Sequence, residues 1–80
     1  MLNNDLCYIL GALRDANLDI RPGKNYEIKF GQKDERWLVY LSELLAKNFQ
    51  IKFNVSKNML RITQKAVVLK LAKISDMVSP

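Results

Sequence analysis

The 80-residue sequence contains no histidine and a single cysteine, Cys7. Without histidine, the Ser-His and Cys-His pairs of nucleophilic catalysis and the histidine-containing zinc sites are excluded. One cysteine cannot form an internal disulfide, and its position in an apolar segment predicts a small buried hydrophobic side chain. Any catalysis would therefore depend on Asp or Glu with a hard cation such as magnesium.

Long apolar runs are also absent. No stretch is long enough to span a bilayer, and residues 1–6 lack the basic start and apolar core of a secretory signal. We therefore expect an intracellular, cytoplasmic protein with no membrane partner. Hydrophobic residues make up 49% and charged residues 26% of the chain, which is typical of one folded domain over residues 1–80.

Acidic residues are in the minority. The 13 Lys and Arg and 8 Asp and Glu give a formal net charge of +5 and a pI near 9.6. Such a surplus on a small domain favours a polyanion such as a nucleic acid as partner, although many basic proteins bind none. The positions of the charged residues in the fold distinguish a polyanion-binding protein from an ordinary basic one.

The segment from Leu6 to Asn17 predicts a helix that is apolar on both sides, capped by Asn3, Asn4 or Asp5. A core-facing stripe at helical spacing is formed by Leu6, Ile9, Leu10 and Leu13. The other side has two small residues where a helix backbone could approach closely, and consists of Cys7, Tyr8, Gly11, Ala12 and Asp15. Because so short a chain can cover only one side, we expect a homodimer in which a second copy of this helix covers the other.

The rest of the chain predicts two hairpins and two more helices. Alternating strands at 17–21 and 26–30 flank the turn Arg21-Pro22-Gly23-Lys24, with Gly23 at positive φ. A helix at 33–48, strands at 50–55 and 59–63, and a helix at 64–77 follow, before a tail at Ser79-Pro80. The apolar stripes expected to be buried are Trp37, Leu38, Leu41, Leu44 and Leu45 in the first of these helices and Val67, Val68, Leu71 and Ile74 in the second. This α-β-β-α-β-β-α order predicts an α+β fold with a four-stranded antiparallel sheet and the helices on one face.

Alternation within the strands separates buried from exposed positions. The apolar positions expected to face inward are Leu18, Ile20, Ile51, Phe53, Val55, Leu60 and Ile62. The outward positions are Asn17, Asp19, Arg21, Glu27, Lys29, Gln50, Lys52, Asn54, Met59, Arg61 and Thr63, with Lys24 and Lys57 at the hairpin tips. Lys and Arg suit DNA phosphates, and Arg, Asn and Gln suit base edges. The alternative is an ordinary solvated outer face.

Three segments resemble the LAGLIDADG homing endonucleases. Residues 10–18 resemble the family's motif helix, with matches at Leu10, Leu13, Asp15 and Ala16. Residues 30–38 resemble the passage from second strand to helix through Gln32-Lys33, and residues 60–70 resemble the last strand and the helix after it. The resemblance covers nearly the whole chain in order. It implies a two-chain dimer through the motif helices, with both sheets forming a saddle over the DNA major groove.

The same resemblance implies a degenerate active site. Family members bind magnesium through an acid at the penultimate motif position, which here is Asn17. Gln32 matches the family's water-ordering Gln, whereas Thr63 stands where many members have Lys and Leu18 replaces the final Gly. An amide has no charge to hold a divalent ion, so we expect no catalytic residue, metal or cofactor. If nuclease activity survives, magnesium is the expected cofactor and Asp15 and Asp19 are the fallback acids.

The sequence thus predicts a homodimer that binds a pseudo-palindromic duplex DNA site without cleaving it, as a transcriptional regulator or a mobile-intron remnant. The expected DNA contacts are Arg21, Lys24, Lys29, Gln32, Lys52, Asn54, Lys57, Arg61 and Thr63. The alternatives are an active magnesium-dependent homing endonuclease and a protein-interaction module. RNA binding is less favoured, since the chain has neither an aromatic-rich strand signature nor a Gly-x-x-Gly loop.

Overall fold

The computed structural model describes residues 4–78, with the side chains of residues 4–76. The proposed cap Asn3 and the tail at Ser79-Pro80 lie outside the described residues. Along the chain the elements are α1 (Asn4–Leu13), β1 (Asn17–Arg21), β2 (Asn25–Gly31), α2 (Glu35–Phe49), β3 (Val55–Ser56), β4 (Met59–Ile62) and α3 (Lys65–Val78). The predicted order of helices and strands is confirmed.

The four strands form one antiparallel sheet in the order β1-β2-β4-β3, so that β2 and β4 are central. The first hairpin closes as predicted, with Gly23 at φ +78° and the Lys24 N–H donating to the Arg21 carbonyl at 2.8 Å. The second hairpin turns on Lys57 and Asn58, both at positive φ. Two consecutive left-handed residues match the right-handed twist of the flanking strands.

A single hydrophobic core lies between the sheet and the three helices. The central strands bury alternate residues, which leaves their other face toward solvent. The apolar stripes predicted for the helices are confirmed, apart from Leu6, Trp37 and Ile74, which are half-buried at the edge of the core. The core consists of Ile9, Leu10, Leu13, Ile28, Phe30, Leu38, Leu41, Leu44, Leu45, Phe53, Leu60, Ile62, Val67, Val68 and Leu71.

The first helix is shorter than predicted. It ends at Leu13, and the N–H groups of the next three residues bond to carbonyls three residues back, from Arg14 to Gly11 through Ala16 to Leu13. This tightened turn lets the chain leave the helix before Asn17 pairs with Lys29 in the sheet. Asp15 therefore lies beyond the helix rather than on it.

The third strand is also much shorter than predicted. Gln50 adopts a left-handed conformation, and its N–H caps α2 by donating to the Ala46 carbonyl at 2.8 Å. Residues 51–54 then run without strand pairing, and only Val55 and Ser56 bond to β4. The alternation of burial still holds, because Phe53 is buried and Lys52 and Asn54 are exposed.

Two apolar residues are more exposed than the sequence indicated. Cys7, predicted to be buried, is exposed in the single chain, because it lies on the side of α1 away from the core. Leu18 shares the inner face with Ile28, its partner across the strands, but stays 40% exposed because β1 is an edge strand. Among residues 4–78, no helix is long and apolar enough to cross a membrane.

Candidate nucleic-acid interface

The outer face of the sheet places outward residues of three strands in one row, two of which, Lys29 and Arg61, are predicted DNA contacts. Lys29 on β2 lies opposite Asn17 on β1 and opposite Arg61 on β4. Residues paired directly across antiparallel strands project to the same face. Since the neighbouring residues Ile28 and Ile62 are buried beneath the sheet, this row points away from the helices. A surface for a partner is thereby formed from residues far apart in sequence.

The two hairpin tips lie at opposite ends of this face. Lys24 is in the turn that precedes β2, whereas Lys57 precedes β4, whose first residue Met59 pairs with Gly31 at the far end of β2. Seven residues of β2 span about 23 Å at strand geometry. Positive side chains are therefore distributed along the whole length of the face.

A shallow concavity lies beside the row, at the second hairpin. It brings together three of the predicted DNA-binding residues, Asn54, Lys57 and Arg61, with Ser56 and Met59. Lys52 is exposed but does not line the concavity, because the segment before β3 is not part of the sheet. Arg61 lies on the central strand β4, and its side chain is 55% exposed.

Two carboxylates interrupt the positive face, and both are held in ion pairs. Glu27 lies 3.5 Å from the Lys29 ammonium and 3.0 Å from Arg61 Nε. Asp19 accepts two hydrogen bonds from the Arg21 guanidinium, at 3.1 and 3.2 Å, and one from Asn25 at 2.9 Å. Strand alternation placed both acids on this face but did not indicate their partners. Glu27 and Lys29 are two residues apart on one strand, so alternation could have indicated that pair, whereas Arg61 is found only from the strand register.

The three positions of the degenerate active site are not brought together. Gln32 follows β2 and accepts a hydrogen bond from the Lys33 N–H at 3.3 Å. It lines a depression between α1, the end of β2 and the start of α2, together with Asp15. Asn17 begins β1 and Thr63 follows the end of β4, and neither residue lines that depression. Asp19, the second fallback acid, is engaged by Arg21 and Asn25. Among the described residues, no three His, Cys, Asp or Glu side chains form a group suited to a metal ion.

The predicted dimer surface on α1 continues onto α2. Tyr8 stacks edge-on against Tyr40, with ring centroids 5.3 Å apart, and tilts against Trp37 at 6.1 Å. Tyr8 and Tyr40 stay 37% and 49% exposed. We call this surface the helix patch, and define it as Cys7, Tyr8, Gly11, Ala12, Trp37 and Tyr40. Tyr40 was missed because it lies outside the buried stripe of α2, although its spacing of three residues from Trp37 puts both on neighbouring turns.

Comparison with known proteins gives no match: no family model, no curated protein and no solved structure matches the chain. The LAGLIDADG resemblance therefore depends on residues 10–18, 30–38 and 60–70 and on their order along the chain.

Proposed function

We propose that this protein is a homodimeric, sequence-specific DNA-binding protein that resembles a LAGLIDADG homing endonuclease without its catalytic residues. The main support is the concentration of charge on the outer face of the sheet. Six of the 13 Lys and Arg residues lie on this face, its flanking segment or its tips, against two of the 8 acids. These six are Arg21, Lys24, Lys29, Lys52, Lys57 and Arg61. A stripe of this kind is the electrostatic signature of a phosphate-binding surface.

The helix patch supports the homodimer. Aromatic residues and small residues adjoin one another there, which allows close backbone approach and burial of large apolar side chains. A second copy is the expected occupant, because the patch lies on the side of α1 that the chain's own core leaves uncovered. A two-fold dimer presents two sheet faces to a two-fold DNA site.

The decisive experiment is duplex binding as a function of salt. Replacing Lys29 and Lys52 with Ala should weaken binding to all duplexes and lower the log-log salt slope by about one unit per lost phosphate contact. Lys52 should contribute more of this loss, because Lys29 is paired with Glu27. The matched control is Lys70→Ala with Lys73→Ala on α3, which removes the same charge from exposed positions on the helix side. An unchanged slope in the first variant, or an equal loss in the control, would contradict the proposal.

Two outcomes of the same assay favour the competing functions. A wild-type protein that does not change the mobility of duplex DNA at low salt would indicate a protein-interaction module. Cleavage in the presence of magnesium would indicate an active endonuclease, for which the shared depression of Asp15 and Gln32 is the structural support. That activity should then disappear in Asp15→Ala or Asp19→Ala.

A further inference from the structure

Glu27 is a largely buried acidic residue that contacts two basic residues of the outer face. Its side chain is only 15% exposed, and its two carboxylate oxygens contact different cations, with Oε1 facing Lys29 and Oε2 facing Arg61. The two cations come from neighbouring central strands and lie directly opposite each other. One anion therefore determines where two of the proposed DNA-binding cations sit.

Asp19, the acid on the neighbouring strand β1, would destabilise this arrangement if the two acids had no cationic partners. Asp19 pairs directly with Glu27 across β1 and β2, and like charges in that position destabilise a sheet. Each acid has its own compensating cation, Arg21 for Asp19 and Arg61 for Glu27. Each acid on the outer face therefore lies beside a particular basic residue that offsets its charge.

The contact with Glu27 has a defined effect on Arg61. Glu27 Oε2 lies 3.0 Å from Arg61 Nε in an ion pair, and Arg61 Nη2 lies 4.0 Å from the Met59 sulfur, which is a weak acceptor. The acid therefore faces the Nε edge of the guanidinium, and the terminal nitrogens can still donate to a stronger acceptor. An ion pair at the Nε edge restricts the orientation of the guanidinium, and the terminal N–H groups suit the O6 and N7 acceptors of guanine in the major groove. By contrast, a phosphate would have to compete with Glu27 for both Lys29 and Arg61.

We infer that Glu27 is a positioning residue that orients Arg61 toward guanine and reduces binding of Lys29 and Arg61 to phosphates of any sequence. The inference depends on the proposed DNA-binding function and deepens it. Glu27 raises specificity in two ways, by strengthening the contact with the correct base and by weakening sequence-independent binding.

The test compares Glu27→Gln with wild-type protein on a random duplex and on a duplex selected by the wild-type protein. Releasing two cations should tighten binding to the random duplex about tenfold at low salt and steepen its log-log salt slope by about one unit. The preference for the selected duplex should fall about tenfold, mainly at a guanine position. The matched control is Glu43→Gln, which makes the same change in net charge at an exposed position on α2.

A second variant separates the effect of the negative charge on DNA affinity from an effect on folding. Glu27→Asp keeps the negative charge, so its affinity for random duplex should stay within about threefold of wild type, and thermal unfolding of all variants reports on the fold. An unchanged specificity ratio in Glu27→Gln, or the same change in Glu43→Gln, overturns the role of Glu27 while leaving DNA binding intact. If wild-type protein binds neither duplex, the proposed function and this inference both fail.

Discussion

At the scale of single residues, the start of α2 depends on Asp34. Its carboxylate accepts a hydrogen bond from the Arg36 backbone N–H at 3.0 Å, and its backbone is extended, as expected for a helix N-cap. The Arg36 guanidinium also donates to both carboxylate oxygens, at 3.1 and 3.0 Å. Hydrogen bonds from the Arg36 side chain and then from its backbone lower the pKa of the Asp34 carboxyl below its usual value.

This lowered pKa predicts a pH-dependent contribution to stability. When the folded-state pKa lies below that of the unfolded chain, the ionised cap stabilises the fold above the unfolded pKa, about 3.9 for Asp, and the contribution is lost as the pH falls through the folded pKa. We expect Asp34→Asn, which keeps an acceptor but cannot titrate, to have a lower Tm than wild type at pH 6. Asp34→Ala should be lower still.

The measurement is thermal unfolding of the three proteins between pH 6 and pH 3. The difference between wild type and Asp34→Asn should be constant down to about pH 5 and should shrink toward pH 3. A difference that does not depend on pH would mean that the charge of Asp34 has no role. The control is Asp76→Asn, which removes an exposed carboxylate near the end of α3 that does not cap the start of a helix.

Local sequence patterns were enough to predict most buried residues. Leu38, Leu41 and Leu45 recur at helical spacing and have no exposed surface, because amphipathic periodicity reflects which side of a helix faces the core. The same pattern could not place Cys7. Periodicity identifies two apolar sides of α1 but does not say which of them a partner covers, so the burial predicted for Cys7 is wrong for the single chain.

At the scale of elements, the ends of α1 and β3 show what local patterns miss. The apolar segment predicts a helix through Asn17, yet the pairing of Asn17 with Lys29 ends the helix at Leu13. In the same way, residues 50–54 alternate like a strand, but Gln50 is used to cap α2. The first boundary depends on pairing with a distant part of the chain, which overrides local propensity. The second depends on a helix cap between Gln50 and Ala46, which strand alternation does not reveal.

The helix patch gives an element-scale prediction at Gly11. In the single chain a Cβ at Gly11 meets nothing within 4 Å, so Gly11→Leu should fold and should raise the stability of the monomer by about 0.5 kcal/mol, since glycine is a poor helix residue. In the proposed dimer the added side chain would separate the two α1 helices. The variant should therefore be monomeric and at least as stable as wild-type monomer.

Sedimentation equilibrium and denaturant unfolding measure the two properties independently. Ala66→Leu adds the same side chain at an exposed position on α3, and this control should leave association unchanged. A Gly11→Leu protein that still forms dimers would refute the interface through the helix patch. This combination of greater monomer stability with lost association is not expected from a simple folding defect.

At the scale of the whole molecule, the proposed interface depends on strand order and register. Alternation correctly assigned Lys29 and Arg61 to the outer face, but nothing in the sequence shows that β2 and β4 are neighbours or that these two residues lie opposite each other. Strand pairing is non-local, so the charge content of the face was predictable and its ion pairs were not.

The length of the face predicts the size of the DNA site. A strand of about 23 Å matches about seven base pairs at 3.4 Å per pair, so two sheet faces should cover about 14 base pairs or more. If one rigid dimer binds both half-sites, as proposed, a symmetric duplex should bind on the order of a hundredfold more tightly than a single half-site. Two chains should be present for each duplex.

Spacing the half-sites tests the geometry of that dimer. Inserting about five base pairs turns one half-site to the opposite side of the helix, since a turn contains about 10 base pairs. Inserting about ten restores the phase but adds about 34 Å, which exceeds the longest dimension of one subunit, 30 Å. Both insertions should reduce affinity to that of a half-site, whereas scrambling the bases at the centre without changing the length should have a small effect. Equal affinity for all spacings would mean that the two chains bind independently, and the two-fold dimer would have to be abandoned.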